Sequence, residues 1–315
     1  MHNTLPRRAR LFLAAAMVAC ALAFSGCAGG PKPPPESAPT YELTILATND
    51  LHGHIDTLPE YLTIIHQIRQ EKENVLLLDA GDVFRRGPYE ARQGAVEIEL
   101  LNQMGYDAFV LGNNEFKVPG SVNSKYEAGT LAESDAQIAN IIKWAKFPIL
   151  CGNVTLKDTG AYIDGTSPYI VKEVGNLKVG IIGVTNMQPA ENKLEMAADK
   201  RFVRGDRSVK WLLPKVKAES DIQIVLSHAG YSVDKKMQGV SAIIGGHDHI
   251  ILENVKNKCS IPVTQGGGED NHCLSRLDLT FAQQDGTWAL HDFQHQLYRA
   301  DGTAKDPSLT IPPAP

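Results

Sequence analysis

Seven side chains able to hold a metal ion stand at or just beyond the ends of apolar runs. Asp50 and His52 follow "TILATN", Asp82 follows "LLLDAG", Asn113 follows "AFVLG", His228 follows "QIVLS", and His247 and His249 follow "AIIGG". Each run reads as a β-strand, and in α/β sheets ligands bind outside the carboxyl ends of the strands, so these residues are expected to meet in one crevice although they span two hundred positions. In Asp50-Leu51-His52 and His247-Asp248-His249 the i and i+2 side chains of an extended backbone project to one side and can grip one ion together. Four imidazoles, two carboxylates and one amide, with no thiolate, favour Zn, Mn or Fe. Seven ligands are too many for one tetrahedral ion and suit two divalent ions.

The elements that must position these residues follow from hydrophobic periodicity. Strand-like runs cover 42–50, 74–82, 107–115, 147–154, 178–185, 221–228 and 241–249, separated by helical patterns at 58–71, 89–104 and 133–146. This is an α/β alternation. Beyond residue 254 the helical pattern stops, and 261–265, 274–282 and 287–298 read as strands, the last two joined by a turn at Asp285-Gly286.

Composition bounds the rest. The chain has 315 residues, 43% hydrophobic and 21% charged, with a net charge of −5 and no basic stripe, so it is globular and nucleic acid is not an expected partner. Residues 1–27 read as an export signal: Arg7, Arg8 and Arg10 precede an apolar stretch that is short for a membrane span. "FSGC" at its end resembles a lipoprotein signal, which predicts lipidation of Cys27, a Pro-rich tether over 28–40 and a membrane-anchored protein outside the bacterial cytoplasm; ordinary secretory cleavage is the alternative. The folded domain is expected over 41–300 and a Pro-rich tail over 301–315. Cys259 and Cys273 flank a strand and a Gly-rich turn, so a disulfide between them is one possibility for an exported chain.

The residues "TNDLHG" (48–53), "AGD" (80–82), "GNNEFK" (112–117), Ser227-His228 and "GGHDH" (245–249) occur in the order of the motifs of the calcineurin-like metallophosphoesterase superfamily, and the chain resembles its 5′-nucleotidase family from about Tyr41 onward. The resemblance implies a four-layer α/β/β/α sandwich. It also implies that Asp50, His52, Asp82 and His249 hold one metal, that Asp82, Asn113, His228 and His247 hold the other, and that Asp82 bridges them. Two such ions leave the centre positive toward a phosphoryl group and acidify a bridging water to a pKa of about 7, so that the nucleophile needs no side-chain base.

Two departures qualify the resemblance. Asn114 stands where the family places its catalytic His, and Lys117 where it places the Asp partner of that His. The chain also ends in its Pro-rich tail where the family's separate substrate domain would begin, so no nucleoside site on such a domain is expected. Asn114 can donate a hydrogen bond but no proton. Arg86, with Arg85 beside it, is a candidate phosphate clamp, solvated surface charge being the competing use. His272 is a candidate substitute proton donor, and Asp248 is expected to orient its neighbours. The expected activity is hydrolysis of a small phosphate ester. The alternatives are a metal-retaining binding lipoprotein without useful turnover, or hydrolysis of a non-phosphate oxyanion ester.

Overall fold

The computed structural model describes residues 38–117 and 130–314. The predicted export signal, Cys27 and most of the tether lie outside them.

The first half of the chain runs β1 (Thr40–Thr48), α1 (Leu58–Glu71), β2 (Val75–Asp79), α2 (Ala95–Met104), β3 (Ala108–Val110), α3 (Leu131–Trp144) and β4 (Ile149–Leu150). After β5 (Val154–Leu156) come β6 (Tyr169–Val174), β7 (Leu177–Val184), α4 (Gln188–Glu191), β8 (Lys200–Phe202), α5 (Gly205–Glu219), β9 (Ile222–Ser227), α6 (Tyr231–Asp234) and β10 (Ala242–Gly245). The chain closes with β11 (Ile251–Lys256), β12 (Pro262–Gly266), β13 (Leu274–Gln284) and β14 (Thr287–Tyr298).

Two six-stranded sheets result, in the orders β14-β13-β1-β2-β3-β4 and β11-β12-β10-β9-β7-β6, with β5 and β8 forming a separate pair. Strands β1 to β4 are mutually parallel, as are β7, β9, β10 and β12; the antiparallel strands β13, β14, β6 and β11 flank them. The near-continuous apolar runs are explained by burial on both faces. Leu43, Ile45 and Ala47 of β1 face inward with Leu76 and Leu78 of β2, against Val179, Ile181, Ile224, Leu226 and Ile244 of the opposite sheet. Leu46, Leu77 and Phe109 face outward, onto Leu58, Tyr61, Leu62 and Ile65 of α1 and Ile98 and Leu101 of α2. On the other outside, Ile182, Val225 and Ile243 meet Val209 and Val216 of α5. Helix, sheet, sheet, helix is the predicted four-layer α/β/β/α sandwich.

Three features differ from expectation or add to it. Helix α5 was not predicted, because Pro214 interrupts its pattern. The Pro-rich tail packs on the domain: Leu309 is buried, Asp306 N–H donates to the Pro59 carbonyl at 3.0 Å and Asp306 pairs with His66 at 2.9 Å. The Cys259–Cys273 disulfide is not formed, and Cys273 is a buried free thiol. Cys273 N–H bonds to Gly266 at the far end of β12 from Cys259. At about 3.3 Å per residue the strand holds the two roughly 20 Å apart, far beyond the ~5.5 Å between Cα atoms that a disulfide spans.

Candidate metal centre

Sheet one sends Asp50, His52, Asp82 and Asn113 past the ends of β1, β2 and β3, and sheet two sends His228, His247 and His249 past β9 and β10. The carboxyl edges of the parallel strands meet in one crevice, as predicted. The i and i+2 pairs converge by another route than extended backbone, however. Asp50 (φ 51°), His52 (φ 47°), Asp82 (φ 56°), His247 (φ 85°) and His249 (φ 55°) all stand in the left-handed region, where each non-glycine residue costs of order 1–3 kcal/mol.

The ligand-type atoms crowd together. His52 Nε2 is 3.0 Å from His249 Nε2 and 3.8 Å from both Asp50 Oδ1 and Asp82 Oδ2; His249 Nε2 is 3.3 Å from Asp50 Oδ1. On the other side His228 Nε2 is 3.2 Å from Asp82 Oδ2 and 3.9 Å from Asp50 Oδ1. Two overlapping groups therefore form, Asp50 with His52 and His249, and Asp50 with Asp82 and His228, each with ligand atoms within 4.8 Å of one another. Both carboxylates reach both sides. His247 lies with its ring centroid 5.3 Å from that of His228, and Asn113 is buried beside Gly112, which itself lies against Asp82.

This set fits a divalent cation. Asp50 Oδ1, Asn113 Oδ1 and His228 Nε2 are buried without a hydrogen bond among the described residues. A buried polar atom without a partner costs about 1–3 kcal/mol, whereas oxygen and imidazole lone pairs gathered at one spot are what a divalent ion accepts. At His228 and Asp50 the other polar atom of the side chain is committed elsewhere. His228 Nδ1–H donates to the Ala80 carbonyl at 2.6 Å, which leaves Nε2 as the ring nitrogen that faces the cluster and, once deprotonated, offers it a lone pair. Asp50 Oδ2 accepts from Asn49 Nδ2 at 2.7 Å and from His247 N–H at 2.8 Å, so its other oxygen faces the site.

Electrostatics point the same way. Burial opposes charge on His228, yet the Asp82 and Asp50 carboxylates outweigh it and raise its pKa to about 10. At His52 burial wins over the same two carboxylates and lowers the pKa to about 4. Burial also disfavours charge on Asp82 and Asp50, but the His228 cation beside them holds both below the usual carboxylate range. The crevice draws positive charge inward, and a metal ion displaces protons from such a site.

The other predicted residues fall as follows. Asn114 is buried and turned onto Asp82, donating from N–H to Oδ1 at 2.8 Å and from Nδ2 to Oδ2 at 2.6 Å. Lys117 Nζ donates to Gln188 Oε1 of α4 at 3.2 Å. Arg85 (φ 73°) and Arg86 (φ 83°) are left-handed too; Arg85 Nε lies 3.9 Å from Glu90, and Arg86 pairs with Glu269. His272 does not join the metal-ligand groups: its Nε2 bonds Thr57 Oγ1 at 2.7 Å and its Nδ1 the Glu269 carbonyl, which fastens its loop to α1. Asp248 accepts from Tyr231 N–H and from Gln265 Nε2, tying the loop after β9 to β12 beside His247.

Three residues that hold the site were not singled out from the sequence. Glu115 is fully buried and accepts the N–H groups of Asp82, Val83 and Gly112 at 3.0, 3.0 and 2.6 Å, binding two ligand-bearing loops. Asn49 joins the first motif to the Gly-rich loop, donating to the Gly267 carbonyl at 2.6 Å and accepting from Gly266 N–H at 2.8 Å. Glu269 reaches back to within 3.8 Å of His249 Nδ1. The available signal was position alone: Asn49 lies within "TNDLHG", Glu115 within "GNNEFK" and Glu269 in the Gly-rich turn.

Comparison with known proteins agrees with this geometry. The family model for calcineurin-like phosphoesterases matches residues 43–250. The chain is 28% identical over 280 residues to the trifunctional nucleotide phosphoesterase protein YfkN of Bacillus subtilis, covering 81% of this chain and 19% of that protein. It is 31% identical over 244 residues to the 5′-nucleotidase of Bos taurus, covering 69% and 39% respectively. The crystal structure of the YfkN phosphoesterase superposes with a TM-score of 0.69 at 23% identity, over 86% of this chain and 95% of that one. The chain thus spans well under half the length of these two curated relatives while matching the solved domain almost end to end. With the family model covering most of the folded residues and the metal-ligand set assembled at the expected sheet edge, the chain belongs to the calcineurin-like phosphoesterase family, whose cofactors are divalent metal ions.

Proposed function

We propose that this protein hydrolyses small phosphate esters at a centre of two divalent ions. Asp50, His52, Asp82 and His249 hold one, and Asp82, Asn113, His228 and His247 the other. The observation that carries the reading is the convergence of buried lone pairs from five strand ends of two sheets, with Asp50 Oδ1, Asn113 Oδ1 and His228 Nε2 satisfied by nothing else among the described residues. When bound, the ions supply positive charge to the phosphoryl oxygens and lower the pKa of the attacking water.

The chain's own residues do the rest. The Ala80 carbonyl fixes the His228 tautomer, Asn49 and His247 N–H orient Asp50, and Asn114 holds both oxygens of Asp82. Arg86, at the mouth of the crevice, contacts the phosphate once substrate draws it from Glu269. Lys117, Arg85 and Arg86 lie close enough to one another for their charges to interact, which favours an anionic substrate at this rim. Neither Asn114 nor Lys117, bonded to Asp82 and Gln188, is placed as an acid for the leaving group. Esters whose alcohol leaves unaided are therefore the favoured substrates.

The test is elemental analysis of purified protein loaded with Mn or Zn, followed by a screen of phosphomonoesters, phosphodiesters and sulfate esters. About two ions per chain with phosphate-ester turnover supports the reading, and one ion or none overturns it. Two ions without turnover on any ester favours the binding-protein alternative, which the commitment of the Asn114 amide to Asp82 makes the strongest rival. Export with lipidation at Cys27 completes the proposal, supported by the arginines, apolar run and "FSGC" of the first 27 residues. Cys27→Ser is expected to release the protein from the membrane fraction, and a wild type without acyl mass contradicts anchoring.

A further inference from the structure

The Gly-rich loop that follows β12 closes over one side of the metal-ligand cluster. Gly268 lies flat on it: a Cβ there would come within 2.7 Å of His249 Cγ and 3.0 Å of Asp50 Cβ. Glu269, left-handed at φ 45°, is pinned by its N–H to the Asp50 carbonyl at 2.9 Å, and its own carbonyl accepts from His272 Nδ1–H. This backbone aims one carboxylate at two partners. Glu269 Oε1 pairs with Arg86 Nη1 and stands 3.8 Å from His249 Nδ1, too far for a hydrogen bond. His249 presents its Nε2 to the cluster, so Nδ1 is the ring nitrogen whose partner sets the orientation and basicity of the ligand.

We infer that Glu269 couples anion capture to metal binding: in the substrate-free protein it holds Arg86, and a phosphate that takes Arg86 frees its carboxylate to accept the His249 Nδ1–H and tighten that ligand. Glu269 is a positioning residue in this scheme, and no bond is made or broken beyond the exchange of hydrogen bonds. The exchange is local, since Arg86 is half-exposed and Glu269 needs to close only the gap from 3.8 Å to hydrogen-bond distance. By linkage, phosphate tightens the metal and the metal tightens phosphate by the same factor. The inference rests on the proposed placement of phosphate at Arg86.

The test is Mn²⁺ titration calorimetry of the full chain, stripped of metal, with and without inorganic phosphate, for wild type, Glu269→Gln and Arg86→Gln. Direct attraction between phosphate and the ions is common to all three and cancels. In Glu269→Gln, Mn²⁺ affinity is expected to fall about tenfold or more with phosphate present and little without it. Arg86→Gln is expected to bind Mn²⁺ more tightly than wild type without phosphate and to respond less to phosphate. Equal weakening of Glu269→Gln in both conditions makes Glu269 a fixed support of His249 and overturns the coupling; so does a wild type whose Mn²⁺ affinity ignores phosphate. Turnover is not read, so failure of the hydrolase reading leaves the result intact.

Discussion

Asn114 offers the sharpest test of the chemistry. It donates two hydrogen bonds to Asp82, at 2.8 and 2.6 Å, and its amide has no proton to give an alkoxide. Replacing Asn114→His together with Lys117→Asp installs an acid with a carboxylate partner. The double variant combines two opposing effects. Loss of the side-chain hydrogen bond to a charged carboxylate costs about 1.5–3 kcal/mol and loosens Asp82 for every substrate alike. A correctly held acid is worth about 10²–10⁴-fold, roughly 3–5 kcal/mol, and only to alcohols that leave poorly. The common loss cancels in a ratio. The quotient of kcat/KM for an alkyl phosphate over that for p-nitrophenyl phosphate is therefore expected to rise by about 10²–10⁴-fold, even as nitrophenyl turnover falls by about tenfold or more. The assay is steady-state kinetics on both esters at saturating Mn²⁺. An unchanged quotient, or a wild type already as fast on the alkyl ester as on the aryl one, refutes the reasoning.

Three further outcomes follow from the geometry. Asp82→Asn is expected to weaken both ions, because Asp82 Oδ2 stands between His52 and His228 at 3.8 and 3.2 Å; retention of one full-affinity ion on elemental analysis contradicts this. His295, buried between Asn254 and Ser275 where β14 meets β11, has its pKa lowered by burial to about 4 from 6.5, so its neutral form adds stability above pH 6.5 that is lost as pH falls toward 4; urea titrations should show the gap between wild type and His295→Gln shrinking by about 2.5 kcal/mol from pH 7 to 4.5, against a constant offset if His295 does not titrate this way. Chelation is expected to leave far-UV circular dichroism unchanged while lowering stability by about 5 kcal/mol, roughly 2.7 kcal/mol for each of two ions, relative to protein at a hundredfold excess of metal over Kd, and a chelated protein that unfolds contradicts it.

Much of this was legible because the physics is local. A strand buried on both faces writes an unbroken apolar run, and a ligand at its carboxyl end writes Asp, Asn or His just after it; "AFVLGNN" and "AIIGGHDH" carry both signals in a few residues. Helix α1 was readable to the residue, since Leu58, Tyr61, Leu62, Ile65 and Ile68 keep helical spacing. What failed depends on distant partners. Nothing near Glu115 announces that its carboxylate collects three N–H groups from two loops, and nothing near His272 shows Thr57 waiting 215 positions away. Cys259 and Cys273 looked close because the segment between them resembled a hairpin, whereas β12 is a straight strand that pairs with β10 and β11.

The left-handed residues explain why the centre needs those distant partners. Asp50, His52, Asp82, His247 and His249 each pay for a strained backbone, together several kcal/mol, and an isolated loop would relax out of it. At three of them the strain persists because the turn is tied to another segment: Asp82 by Glu115, Asp50 by Glu269 N–H, and His52 by its N–H to the Asp82 carbonyl at 3.0 Å. These ties run to protein groups and require no ion. The candidate ligands are therefore held by hydrogen bonds of the fold itself, Glu115 above all. Removing that one carboxylate frees the N–H groups of Asp82, Val83 and Gly112 at once, so the side chain that never touches the metal is the one on which the geometry of Asp82 depends most.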